Sequence, residues 1–188
     1  MVAMAVIREQ DMEKGRRAWR QWVEAARAQA AAHAGGDAVR AGIAAYDRSA
    51  AGEPSVAAPA SASPATQNTL ANAAQPDHVN DADASALSIS PELPRPVWAM
   101  AVRYTLFLLE RRAPGPGVEV RVAPWGAIKI LDGPASDPHN LTPPDVIELD
   151  PDVWLRLAAG ITTWAQEKDA GHITAVGERD DLSDLLPL

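Results

Sequence analysis

Between residues 96 and 112 the chain reads Pro-Val-Trp-Ala-Met-Ala-Val-Arg-Tyr-Thr-Leu-Phe-Leu-Leu-Glu-Arg-Arg. Proline suits a first helical turn and arginine a last one, so this stretch predicts a helix. Its main stripe, Trp98, Ala101, Val102, Thr105, Leu106 and Leu109, repeats at helical spacing. Met100, Tyr104, Phe107 and Leu108 occupy the adjoining faces. A helix apolar on so many sides has to be covered on more than one of them.

The material for those covers lies mostly downstream. Val118-Glu-Val-Arg-Val122 alternates as a half-buried strand should, Pro124-Trp-Gly126 turns the chain, and Ala127-Ile-Lys-Ile-Leu131 supplies a second strand that predicts an antiparallel hairpin. Val146-Ile-Glu-Leu149 reads as a third strand. Asp150, Pro151 and Asp152 then offer a cap, a first-turn proline and a first-turn acid, with Trp154, Leu157 and Ala158 sharing one helical face and Gly160 placed for a left-handed end. Thr163-x-x-Gln166 fits a capping box for a short helix that stops at Gly171. His172 to Val176 predicts a fourth strand, and Leu182, Leu185 and Leu186 the stripe of a closing helix capped by Asp180 or Asp181. Strands and helices interleaved in this order predict an α+β fold, with helices over one face of a small, largely antiparallel sheet.

Upstream, the pattern from Ile7 to about His33 is helical. Met12, Trp19, Trp22, Val23, Ala26 and Ala30 form one narrow apolar stripe, with arginines and Glu24 on the other positions. Gly35-Gly36 predicts a break before a second short helix. Residues 1–48 therefore read as an amphipathic helical segment and 96–188 as the folded domain. Residues 49–95, rich in Ala, Ser, Pro, Asp and Asn, read as a flexible, disordered linker, because so few bulky apolar groups cannot offset the entropy of ordering them. Trp19 and Trp22 have no core nearby in the sequence. Their stripe packs on the C-terminal domain, pairs with another copy in a homodimer, or binds a partner; packing within the chain is the first expectation.

Composition narrows the function. A formal charge of -8 across 188 residues argues against nucleic acid or an anionic membrane as a constitutive partner, and because no segment approaches the ~20 apolar residues of a membrane span, no stable membrane insertion is expected. The apolar start MVAMAVI is too short for a signal peptide and is followed at once by charge, so the cytoplasm is the expected location. There is no cysteine, and His33, His78, His139 and His172 are scattered without ligand spacing, so no metal or cofactor is expected. Ser183 has no histidine beside it to activate it, and the aspartates at 150, 152, 180, 181 and 184 read as caps and surface. No catalytic residue is predicted, and the chain is expected not to be an enzyme.

The run Asp152-Val-Trp-Leu-Arg-Leu-Ala-Ala-Gly160, followed by Trp164-Ala, Ala170-Gly-His-Ile-Thr-Ala-Val-Gly177 and Asp181-Leu182, resembles the C-terminal signature of the sterol-carrier-protein-2-like superfamily. It is most similar to the bacterial branch, over roughly residues 97 to 188. The sequence departs from that branch where Ala123-Pro124-Trp125 replaces Pro-Pro-Phe and where Gln166-Glu-Lys-Asp169 replaces a more apolar helix. The resemblance implies an apolar groove between sheet and helices that holds a fatty acyl chain, a sterol or another lipid. Candidate lining residues are Trp98, Tyr104, Phe107 and Leu108 on the first helix and Ile128 and Ile130 on the second strand. Trp154, Leu157, Trp164 and Ile173 complete the set. A domain of this size needs the same side chains for its core, so a structural or interaction module with a filled interior stays open beside the carrier. Isomerases with a related C-terminal domain add a larger helical metal site, which residues 1–48, with His33 alone, do not supply.

Overall fold

The computed structural model describes residues 6–50, 81–133 and 145–188. Helix α1 spans Met12–Ala50, α2 Asp81–Leu87 and α3 Arg95–Arg112. Strands β1 (Pro114–Val122), β2 (Gly126–Ile130) and β3 (Asp145–Leu149) follow, then α4 (Pro151–Ala159), α5 (Trp164–Asp169) and β4 (Ile173–Val176). The sheet order is β2-β1-β3-β4. The predicted hairpin is present, with Val120 opposite Ile128, and β4 pairs antiparallel with β3, Ile173 opposite Leu149. The inner pair β1 and β3 is parallel, with Val120 beside Ile147. Two of the three pairings are thus antiparallel, and the fold is α+β with a mixed sheet.

In this register Val118, Val120, Val122, Ile128, Ile130 and Ile147 all face inward, where they are buried. Glu119, Arg121 and Glu148 face outward and pair with one another, Arg121 reaching Glu119 at 2.7 Å and Glu148 at 3.7 Å. Helix α3 lies on the inner face. Leu106 and Leu109 are wholly buried, and Thr105 Oγ1 accepts a 2.8 Å hydrogen bond from Trp154 Nε1 that joins α3 to α4.

The opposite side of α3 is covered by α1, as its apolar surface demanded. The two helices run antiparallel, since Gly15 meets Tyr104 at one end and Trp22 meets Trp98 at the other. A Cβ on Gly15 would stand 2.9 Å from Tyr104 Cβ, and only glycine permits this approach. Trp19 and Trp22 stack at 5.8 Å, Trp22 meets Trp98 edge-on at 5.7 Å, and Trp98 stacks on Trp125 at 6.2 Å. This aromatic row ties the N-terminal helix to the turn between β1 and β2. The stripe expected to seek a cover is therefore used within the same chain, with Trp22 fully buried and Trp19 partly exposed.

Four expectations need correction. Residues 81–94 were expected as linker, yet they hold α2 and a nearly fully buried Ile89. Polar anchors fix this segment where apolar content is low: Arg156 donates to Ile89 O at 3.1 Å, and Gln29 Oε1 accepts from Ser90 N at 3.1 Å. Gly35 and Gly36 do not break α1, because the alanine-rich flanks offset the roughly 1 kcal/mol that each glycine costs in a helix. The closing helix is a single 3₁₀ turn at Ser183–Leu185. Arg112 engages the carbonyls of Leu185 and Pro187 at 3.0 and 2.7 Å and Leu188 N donates to Ala158 O, so the tail's backbone groups bridge to other elements. Asp150 makes no side-chain cap to α4, whereas the Thr163–Gln166 capping box and the left-handed Gly160 are present. The rest of the expected linker, residues 51–80, and both His78 and His139 lie outside the described residues.

One polar cluster inside the fold had no signal in the sequence. Arg156 and Glu167 are both buried and form a two-pronged ion pair at 2.7 and 3.1 Å. Arg156 also bonds Asp152 at 2.8 Å, while Glu167 accepts from Thr162 at 2.7 Å and meets His172 Nδ1 at 2.7 Å. Burial alone pushes the Glu167 carboxyl up. Hydrogen bonds from Arg156, Thr162 and His172, with the Arg156 charge, outweigh that and hold it below its ordinary value. A second buried carboxylate, Asp145, is held by Arg179 Nε at 2.8 Å and by Glu178 N at 2.9 Å. Gly177 makes that approach possible: its φ is +116°, and a Cβ would lie 1.9 Å from Asp145 Oδ1.

Two consequences are measurable by denaturant unfolding. Glu167→Gln leaves the buried Arg156 short of its partner and should lower stability by about 3–5 kcal/mol. Because the native Glu167 value lies below the ordinary 4.5, its contribution is present above that pH and should be lost as the pH falls through the lower native value. Trp22→Ala should cost about 3–5 kcal/mol as a cavity opens between α1 and α3. Trp22→Phe should cost much less, because the Trp22 indole N–H is buried with no hydrogen-bond partner among the described residues and the change removes it.

Candidate functional site

The ten candidate lining residues fall into different environments. Ile128, Ile130, Trp154, Leu157 and Trp164 sit in the closed core between the sheet and the helices. Ile130, Trp154, Leu106, Leu109, Val118 and Val120 all have zero accessibility, which leaves no water-sized void against them. Ile173 is half-buried at the start of β4 and packs against that core. Trp98 lines a small cleft of about 310 Å³ with Trp125, Leu93, Arg95, Pro151 and Asp152.

Tyr104, Phe107 and Leu108 are brought together elsewhere. With Arg111 they repeat at i, i+3, i+4 and i+7, a second stripe on α3 that points away from the sheet. They line a cleft of about 590 Å³ whose other wall is Ile7, Glu9, Met12 and Arg16 from the N-terminal segment. This volume lies within the range of small-molecule sites. The floor is mainly apolar and the rim is charged. Arg111 lies 5.7 Å from the Phe107 ring centre, and Arg16 is paired with Glu13 at 3.4 Å; the nearby Tyr104 hydroxyl and the Glu13 charge hold the Arg16 guanidinium above its ordinary value.

On the far side of Ile7 lies a further cleft of about 620 Å³, lined by Val6, Arg8, Asp11, Met100, Arg103 and the Trp125-Gly126-Ala127 turn. Val6 fits against Gly126, where a Cβ would come within 2.8 Å of Val6 Cγ2. Residues 6–12 thus form a strap across α3 with an open cleft on each side. Sequence reasoning missed Ile7, Arg8, Arg16, Arg103 and Arg111 as parts of a site. The available signal was the second stripe on α3, which required a cover without saying which residues provide it.

No helix among the described residues is long and apolar enough to cross a membrane. A search of curated proteins found no match to this chain. The family model described as bacterial SCP ortholog matches residues 94–188, just over half of the chain, and SCP-like proteins are in general non-catalytic carriers associated with lipids. The matched span begins at the start of α3 and takes in the whole sheet, α4, α5 and the tail, so this chain belongs to the bacterial branch of the sterol carrier protein family.

Proposed function

We propose that the chain is a non-enzymatic carrier for an apolar small molecule such as a lipid, held along the outer flank of α3. The observation that carries this reading is the cleft in which Tyr104, Phe107 and Leu108 face Ile7 and Met12, because it offers apolar surface outside a core that is already closed. An acyl tail laid against such a surface gains roughly 0.8 kcal/mol per buried methylene, so ten methylenes give a gross gain of about 8 kcal/mol before the costs of association. That gross figure equals the net free energy of micromolar binding, so a ten-methylene tail on its own binds more weakly than micromolar, and no catalytic group takes part.

The zero accessibility of the side chains between sheet and α3 favours a second reading, an accessory module with a filled core and no cargo. Trp154, Leu157, Trp164, Ile128 and Ile130 then serve packing alone. Titration with a fluorescent fatty acid, displaced by an unlabelled chain, separates the two. The carrier reading expects saturable, displaceable binding that Leu108→Arg weakens by about tenfold or more at unchanged thermal stability. Absence of displaceable binding, with no lipid retained in native mass spectrometry, establishes the filled-core reading instead.

A further inference from the structure

We propose that Arg8 and Arg103 form an anion subsite beside the apolar cleft, so that the cargo is an amphiphile with a carboxylate or phosphate head; this rests on the carrier reading. Four arginines in the described residues are not fully exposed: Arg103, Arg121, Arg156 and Arg179. Three of them have carboxylate partners, Arg121 with Glu119, Arg156 with Glu167 and Arg179 with Asp145, at 2.7, 2.7 and 2.8 Å. Arg103 is the exception. Its Nε donates to Trp125 O at 3.0 Å, and no carboxylate among the described residues lies within ion-pair distance of its guanidinium. The one acid in the same cleft, Asp11, is engaged by Lys14 at 3.0 Å.

A half-buried guanidinium held by one nitrogen and left without a counter-ion is an unfilled donor set, and its planar fork suits carboxylate and phosphate alike. Arg8 lines the same cleft, also without an acid partner among the described residues. Ile7 borders both clefts, and Arg103 stands four residues before Phe107 of the tail cleft, on the same face of α3 and about 6 Å away along the helix axis, so head site and tail site adjoin within reach of one molecule. The surroundings favour an anion as well. Residues 6–34 and 95–112 contain ten Lys and Arg against five Asp and Glu, in a chain whose total is -8. Arg8 and the whole strap lie outside the span matched by the family model, whereas Arg103 lies within it, so the subsite joins a residue of the N-terminal segment to one of the family-matched domain.

Three probes with the same tail test it on the full chain: dodecyl phosphate, dodecanoate and dodecanol, each titrated at low ionic strength. The two anions should bind about tenfold or more tighter than the alcohol. Arg103→Gln and Arg8→Gln should each reduce that advantage and leave dodecanol affinity unchanged; the exposed Arg8 serves if Arg103→Gln disturbs the Trp125 turn. Inorganic phosphate should compete with dodecyl phosphate and not with dodecanol, which distinguishes a head site from tail binding alone. Equal affinity for all three probes, or an anion preference that survives both substitutions, overturns the subsite and leaves the carrier reading standing. Failure of every probe, dodecanol included, overturns both.

Discussion

The structure depends on a helix that carries large apolar residues on two separate sides and needs a cover for each. Helix α3 buries Leu106 and Leu109 against the sheet and Trp98 and Tyr104 against α1, so neither cover can leave without exposing large apolar surface. This constraint explains why a segment at the far end of the sequence belongs to the fold. The family-matched span supplies the sheet side of α3, and the N-terminal helix supplies the other. Small residues make the second interface close: Gly15, Ala18 and Ala26 let the helices approach, and Trp22 fills the space between them.

Buried charge serves a different purpose from burial of apolar area. The Arg156–Glu167 pair collects α4, α5, the residue before β4 and the residue-89 backbone around one point. Such a pair adds little net stability over an apolar replacement, but removing one member is costly, and this fixes how the elements sit relative to each other. Asp145 and Arg179 do the same where β3 and β4 meet the end of β1. With the core closed and pinned in this way, the open space is displaced to the flank of α3 and to the strap of residues 6–12.

Much of this was legible in the sequence, for physical reasons that can be named. Period-2 alternation in Val118–Val122 and the two β-branched residues of β2 gave the hairpin, and the surplus of apolar faces on α3 gave the need for a second cover. The Thr163–Gln166 box and Gly160 marked helix ends through local chemistry that tertiary context did not override. The parallel pairing of β1 with β3 was not legible, because alternation fixes which face a strand buries and says nothing of which neighbour it takes. Ile89 and α2 were hidden by their composition, since one isoleucine among polar residues is held by distant partners, Gln29 and Arg156. The same limit applied to the site: Tyr104, Phe107 and Leu108 were named, but their partners Ile7, Met12 and Arg16 come from a segment nearly a hundred residues away in the chain.

The central claim is that cargo lies on the flank of α3 and outside the sheet-facing core. Photo-crosslinking with a long-chain alcohol bearing a diazirine, followed by peptide mass spectrometry, tests it directly. Labelling confined to residues 7–16 and to Tyr104, Phe107 and Leu108 is the result the account predicts. Labelling at Ile128, Ile130 or Trp154 contradicts it, because those side chains can be reached only if the interior between sheet and helices opens.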